Sequence, residues 1–219
     1  MAENKDIFLF VPNVIGYARI ILAILSFYYM PTHCGLAILC YIVSALLDAI
    51  DGHAARYFNQ STRFGAMLDQ LTDRAGTAAL MMTLATFYPR YTFWFQISMI
   101  IDICCHWLYL HTTILQGKAS HKFIDMSENP IMHLYYTNKT VLFFMCAGNE
   151  AFYAALYVSY FYTGFTILGL GIFPMIAVLS APIALIKTLI SVLHGVVASI
   201  NLATIDVQER AALLGKQDN

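Results

Sequence analysis

Six runs of roughly twenty mostly apolar residues, joined by polar connections, leave this chain few folds to choose from. They extend from about Pro12 to Met30, Leu36 to Ala55, Gly65 to Tyr88, Thr92 to Ile114, Thr140 to Tyr162 and Pro174 to Ala203. At ~1.5 Å per residue, each is long enough to cross a ~30 Å hydrocarbon layer as a helix. In lipid, a backbone must satisfy its own N–H and C=O groups, and a run of this length does so as a helix. The expectation is an all-α, polytopic membrane protein with six transmembrane helices. The opening MAENKDIFLF sets Glu3, Lys5 and Asp6 beside Ile7, Phe8, Leu9 and Phe10, a pattern that suits a short N-terminal interfacial helix. It has no small-residue cleavage site, so the first span is expected to act as an uncleaved anchor.

The 219 residues suffice for a single membrane domain, 1–219, with a polar tail over about 204–219. The sixth run exceeds the usual span and is expected to tilt or extend beyond the bilayer. Hydrophobic residues make up 59% of the chain, which fits a bilayer as its solvent; the net charge of −1 argues nothing about nucleic acid, and no nucleic-acid partner is expected. Five cysteines form no CxxC pair and lie mostly in apolar runs, where Cys behaves as a small hydrophobe.

Against that background, four carboxylates stand out. The chain reads Asp48-x-x-Asp51-Gly52-x-x-Ala55-Arg56, then eight residues, then Gly65-x-x-x-Asp69-x-x-x-Asp73. Asp48, Asp51 and Ala55 fall on one helical face, and Gly65, Asp69 and Asp73 form a second stripe. Two such stripes facing each other across a short loop gather four acids near one membrane face. Ionised groups in apolar surroundings are costly unless paired, hydrogen-bonded or bound to metal. Hard divalent cations take oxygen ligands of this kind, and Mg²⁺ commonly bridges carboxylates to substrate phosphates. Gly52 and Gly65 let a backbone or bulky ligand approach, and Arg56 offers a planar fork suited to phosphate.

Lysine and arginine are distributed asymmetrically. With six spans, Lys5, Arg56, Arg63, Lys118, Lys122, Lys139, Arg210 and Lys216 fall on one side, and the opposite connections hold Arg90. The positive-inside rule then puts both termini and the acid cluster in the cytosol.

The aspartate run is similar to the signature of the CDP-alcohol phosphatidyltransferases, matched at all eight fixed positions. The resemblance implies that a CDP-activated lipid gives its phosphatidyl group to an alcohol and that CMP leaves. Carried over position by position, Asp48, Asp51, Asp69 and Asp73 would bind Mg²⁺ or Mn²⁺, and Asp73 would also be the general base. Gly52, Ala55, Arg56, Thr62 and Asn13 would contact CDP-diacylglycerol. A homodimer is also implied.

Further runs, FLFVPNVIGYARI, DGHAAR-x-x-NQ-x-TRFGAMLD, SHKFIDMSENP-x-x-x-x-YYT and APIALIKTLISVLH, resemble the inositol-using eukaryotic branch of that family. That implies myo-inositol as acceptor, in the endoplasmic reticulum membrane. Such a pocket needs hydrogen-bonding groups rather than a cation clamp. By helix register His106 and His194 lie at about the depth of Asp73, with Asp102 and Lys187 a turn or two deeper. These four are inositol-binding candidates; equally, Asp102 and Lys187 form a structural ion pair and the histidines are satisfied within the bundle.

Several other polar residues remain open. Arg19 is read as a structural partner of one of the acids, and Tyr135-Tyr136 as interfacial anchors. Asn149 and Glu150 are read as marking a helix–helix contact. His121, Asp125 and Asn129 either reach over the site mouth or serve as turn and capping residues. The competing functions are the same chemistry with another acceptor alcohol, or a cation transporter. Transport sits poorly with acids confined to one hairpin and unmatched in the other half.

Overall fold

A computed structural model of the protein describes residues 4–116, 135 and 137–217. Nearly all of them are helical: α1 (Asn4–Phe8), α2 (Val11–Tyr29), α3 (Cys34–Tyr57), α4 (Arg63–Phe87), α5 (Thr92–Gln116), α6 (Lys139–Phe161) and α7 (Ile172–Gln217). A 3₁₀ turn, Pro89–Tyr91, separates α4 from α5. The all-α expectation holds, apart from a small antiparallel hairpin pairing Thr166–Ile167 with Leu170–Gly171. Leu168 and Gly169 turn it with positive φ, where the sequence suggested only a Gly-rich connection.

Among the described residues, α2, α3, α5, α6 and α7 are long and apolar enough to cross a membrane. Helix α4 is long enough but is not one of them, because Arg63, Asp69, Asp73 and Arg74 stand in its first half. Local chemistry explains the boundaries. Pro12 sits in the first turn of α2, where a missing N–H costs nothing. Thr62 caps α4 by accepting from the Gly65 N–H at 3.0 Å. Asn59, at φ 53°, makes the turn between α3 and α4 in a region Asn tolerates.

One boundary needs correction: 204–217 continues α7 rather than forming a separate tail. The segment TIDVQERAALLGKQ is rich in good helix formers, and Ile205 is buried. Pro182 lies inside the same helix.

The chain groups into two compact units, Met1–Gln96 with Tyr153–Met175, and Ile97–Phe152 with Ile176–Asn219. In the first, α2 turns Asn13, Gly16, Arg19, Ala23 and Ser26 inward, spaced three or four apart, while Ile21, Ile24 and Tyr28 face outward. Small and polar inside with large and apolar outside is the order expected in lipid. The Ser26 hydroxyl donates to the Ala37 carbonyl at 2.8 Å, and the Ser44 hydroxyl to the Arg19 carbonyl at 3.1 Å, joining α2 to α3. The buried Tyr157 hydroxyl donates to the Met30 carbonyl at 2.9 Å.

In the second unit, Thr112 donates to the Ala198 carbonyl at 3.3 Å, and Gly195 lets α7 approach Cys105 on α5. Gly148 lies against Ile183, so the helix contact expected around Asn149 is made next door, with Asn149 itself buried. Tyr135 is not an interfacial anchor: it is buried with Ile190 among Leu142, Met145 and Leu193. Tyr136, His121, Asp125 and Asn129 lie outside the described residues. None of the five cysteines is in a disulfide.

Candidate active site

Helices α3 and α4 deliver their aspartates to one point inside the first unit, and Arg19 from α2 occupies it. Its Nη1 donates to Asp51 Oδ2 at 2.7 Å and to Asp69 Oδ1 at 2.6 Å. Its Nη2 lies 2.6 Å from Asp48 Oδ1 and donates to Asp73 Oδ1, also at 2.6 Å. Arg19 is 2% exposed, yet its Nε has no hydrogen-bond partner. The sequence suggested that Arg19 pairs with one acid; it pairs with all four.

The donor set fits a hard cation. One oxygen from each of Asp48, Asp51 and Asp69 lies within 4.8 Å of the others, close to the ~4 Å separating opposite ligands of a small octahedral ion. Four carboxylates at −1 each against one guanidinium at +1 leave a formal −3, a charge that divalent cations offset. Asp73 shares Arg19 but stands outside that group of three.

Beside the acids opens a cavity of about 210 Å³. Asn13, Gly52, Ala55, Arg56 and Thr62, the sequence-predicted lipid-nucleotide residues, all line it together with Asp51 and Asp69. Asn13 is held in place because its amide nitrogen donates to the Ile7 carbonyl at 2.5 Å, leaving the buried Oδ1 without a partner. A side chain on Gly65 would put its Cβ 2.8 Å from that oxygen and 3.2 Å from the Thr62 hydroxyl, so this corner exists because residue 65 is glycine. At Gly52 a Cβ would meet only the Arg56 guanidinium, at 3.7 Å.

Sequence reasoning missed Gly16, Gln60 and Ser61, which also line the cavity. The Gln60 side chain accepts from the Val11 N–H at 2.9 Å and ties the α3–α4 turn to the start of α2. Its signal was its place in a polar turn next to the acids.

The inositol candidates are in the second unit. His106 Nδ1 lies 2.7 Å from the Asp102 carbonyl and 3.5 Å from its Oδ1. His194 is buried, stacks on Tyr109 with ring centroids 5.6 Å apart, and meets Tyr135 edge-on. Lys187 is buried on the same helix as His194.

The sequence model of the CDP-alcohol phosphatidyltransferases matches residues 9–168. The chain belongs to the CDP-alcohol phosphatidyltransferase family. Within that family it is 55% identical over 210 residues to the Drosophila melanogaster CDP-diacylglycerol–inositol 3-phosphatidyltransferase, covering 96% of this chain and 92% of that one. The Homo sapiens protein of the same name is 53% identical over 208 residues, covering 95% and 98%. The Saccharomyces cerevisiae protein of that name is 45% identical over 152 residues, 69% of each chain. No solved structure matches.

Proposed function

We propose that this protein transfers the phosphatidyl group of CDP-diacylglycerol to myo-inositol, giving phosphatidylinositol and CMP. The observation that carries the reading is identity above half, over nearly the whole chain, to proteins named for that reaction. The geometry agrees in kind, since a carboxylate cluster opens beside a cavity at a lipid-facing helix bundle.

Asp48, Asp51 and Asp69, with Asp73 beside them, would hold Mg²⁺ or Mn²⁺, which would supply positive charge to offset the diphosphate and the leaving CMP. Asn13, Gly52, Ala55, Arg56 and Thr62 seat the nucleotide-lipid. Arg56 takes a phosphate, Gly52 admits it closely, and the orphaned Asn13 Oδ1 accepts from a nucleotide donor. Asp73 takes the proton of the attacking inositol hydroxyl. The new bond joins that oxygen to the phosphatidyl phosphorus, and the phosphorus–oxygen bond to CMP breaks. For the acceptor, His106, His194, Asp102 and Lys187 supply hydrogen-bonding groups. The protein works as a homodimer in the endoplasmic reticulum membrane, with termini and site cytosolic as the basic residues favour.

The test is product formation by purified protein with CDP-diacylglycerol, Mn²⁺ and labelled inositol, with serine and glycerol 3-phosphate in parallel. Label should enter lipid from inositol alone and require metal. CMP release driven by another acceptor would overturn the inositol assignment and keep the chemistry.

A further inference from the structure

We infer that Arg19 is the positioning residue of the carboxylate site: its fork holds one oxygen of each aspartate and so sets the arrangement of acids that meets a cation. The inference rests on the metal-binding reading above.

The helix packing gives Arg19 this task. Helices α3 and α4 touch each other much less than α3 touches α2. The register between Asp48–Asp51 and Asp69–Asp73 is therefore transmitted largely through α2. On α2, Arg19 is itself fixed from both sides. Its carbonyl accepts the Ser44 hydroxyl of α3 at 3.1 Å. One turn earlier, Gly16 runs so close to α4 that a Cβ there would stand 2.9 Å from Leu68 Cδ2.

The side chain is then spent entirely at its end. The two terminal nitrogens each bridge one acid from α3 and one from α4, while the buried Nε goes unpartnered. A planar fork reaches two pairs at once; a lysine, with one nitrogen, cannot. Had Arg19 been only a counter-charge, any cation at that depth would serve.

Arg19→Lys and Arg19→Met separate these roles by Mn²⁺ binding, read by electron paramagnetic resonance on protein in lipid nanodiscs, with gel filtration and melting as folding checks. Arg19→Lys keeps the charge and loses the fork; it is expected to weaken Mn²⁺ binding about 10–100-fold, as loss of a ligand-orienting partner does. Arg19→Met is expected to bind no tighter than wild type despite a more negative site. Wild-type affinity in Arg19→Lys, or tighter binding in Arg19→Met, would overturn the inference. Should either variant fail to fold, Arg19→Met with Asp51→Asn and Asp69→Asn is expected to fold, since it cuts the uncompensated acids from four to two. A triple variant that stays unfolded would make Arg19 a packing residue and overturn the inference as well. Wild-type protein that binds no Mn²⁺ would remove the metal reading itself, a result distinct from the others.

Discussion

Gly52 and Gly65 hold equivalent places in the aspartate pattern, but their surroundings separate them. Protein atoms leave room for a methyl group at Gly52 and none at Gly65, where Asn13 and Thr62 close in. Gly52→Ala is therefore expected to melt like wild type and to bind CDP-diacylglycerol roughly tenfold or more weakly, the clash falling on ligand alone. Gly65→Ala is expected to lose about 1–3 kcal/mol of stability as well. Melting curves beside lipid-nucleotide titrations check both, and a destabilised Gly52→Ala would place its tight neighbour within the protein. At this scale the clustering of the four aspartates was legible from residue type and spacing, and the cavity residues around Arg56 from the family resemblance. Arg19 was visible as a charge in an apolar span. Its four partners were not, because they depend on three helices meeting at one level, which no local pattern encodes.

Helix α2 is the element on which the site is built, and its two faces have opposite tasks. Ser26 on the inward face donates across to α3, while Ile24 is 58% exposed toward the surroundings. Ser26→Ala is expected to cost about 0.6–1.7 kcal/mol and Ile24→Ala close to nothing, the reverse of a soluble helix. Unfolding in mixed detergent measures both. The helix boundaries as far as α6 were readable to within a turn because Pro12, Thr62 and Pro89 punctuate the chain. The end of α7 was not, because its polar composition suggested a tail while its helix propensity and the burial of Ile205 extend the helix. Ile205→Ala should cost about 2–5 kcal/mol if this extension packs as described, and Leu213→Ala, at 64% exposure, little. Equal effects in melting experiments would contradict that packing.

For the molecule as a whole, the proposed orientation rests on the distribution of basic residues and the proposed chemistry on the acid cluster. In sealed microsomes, an impermeant maleimide should label Tyr57→Cys directly and Arg90→Cys only after permeabilisation, in a chain otherwise free of cysteine. The reverse pattern would put the site in the lumen. The proposed division of the aspartates into cation holders and a base is tested most directly by Asp73→Asn set beside Asp51→Asn. In nanodiscs with CDP-diacylglycerol and labelled inositol, Asp73→Asn should lower product formation about 100-fold or more. It should weaken Mn²⁺ binding less than Asp51→Asn does. Asp73→Asn that turns over at the wild-type rate, or loses Mn²⁺ as fully as Asp51→Asn, would contradict the division.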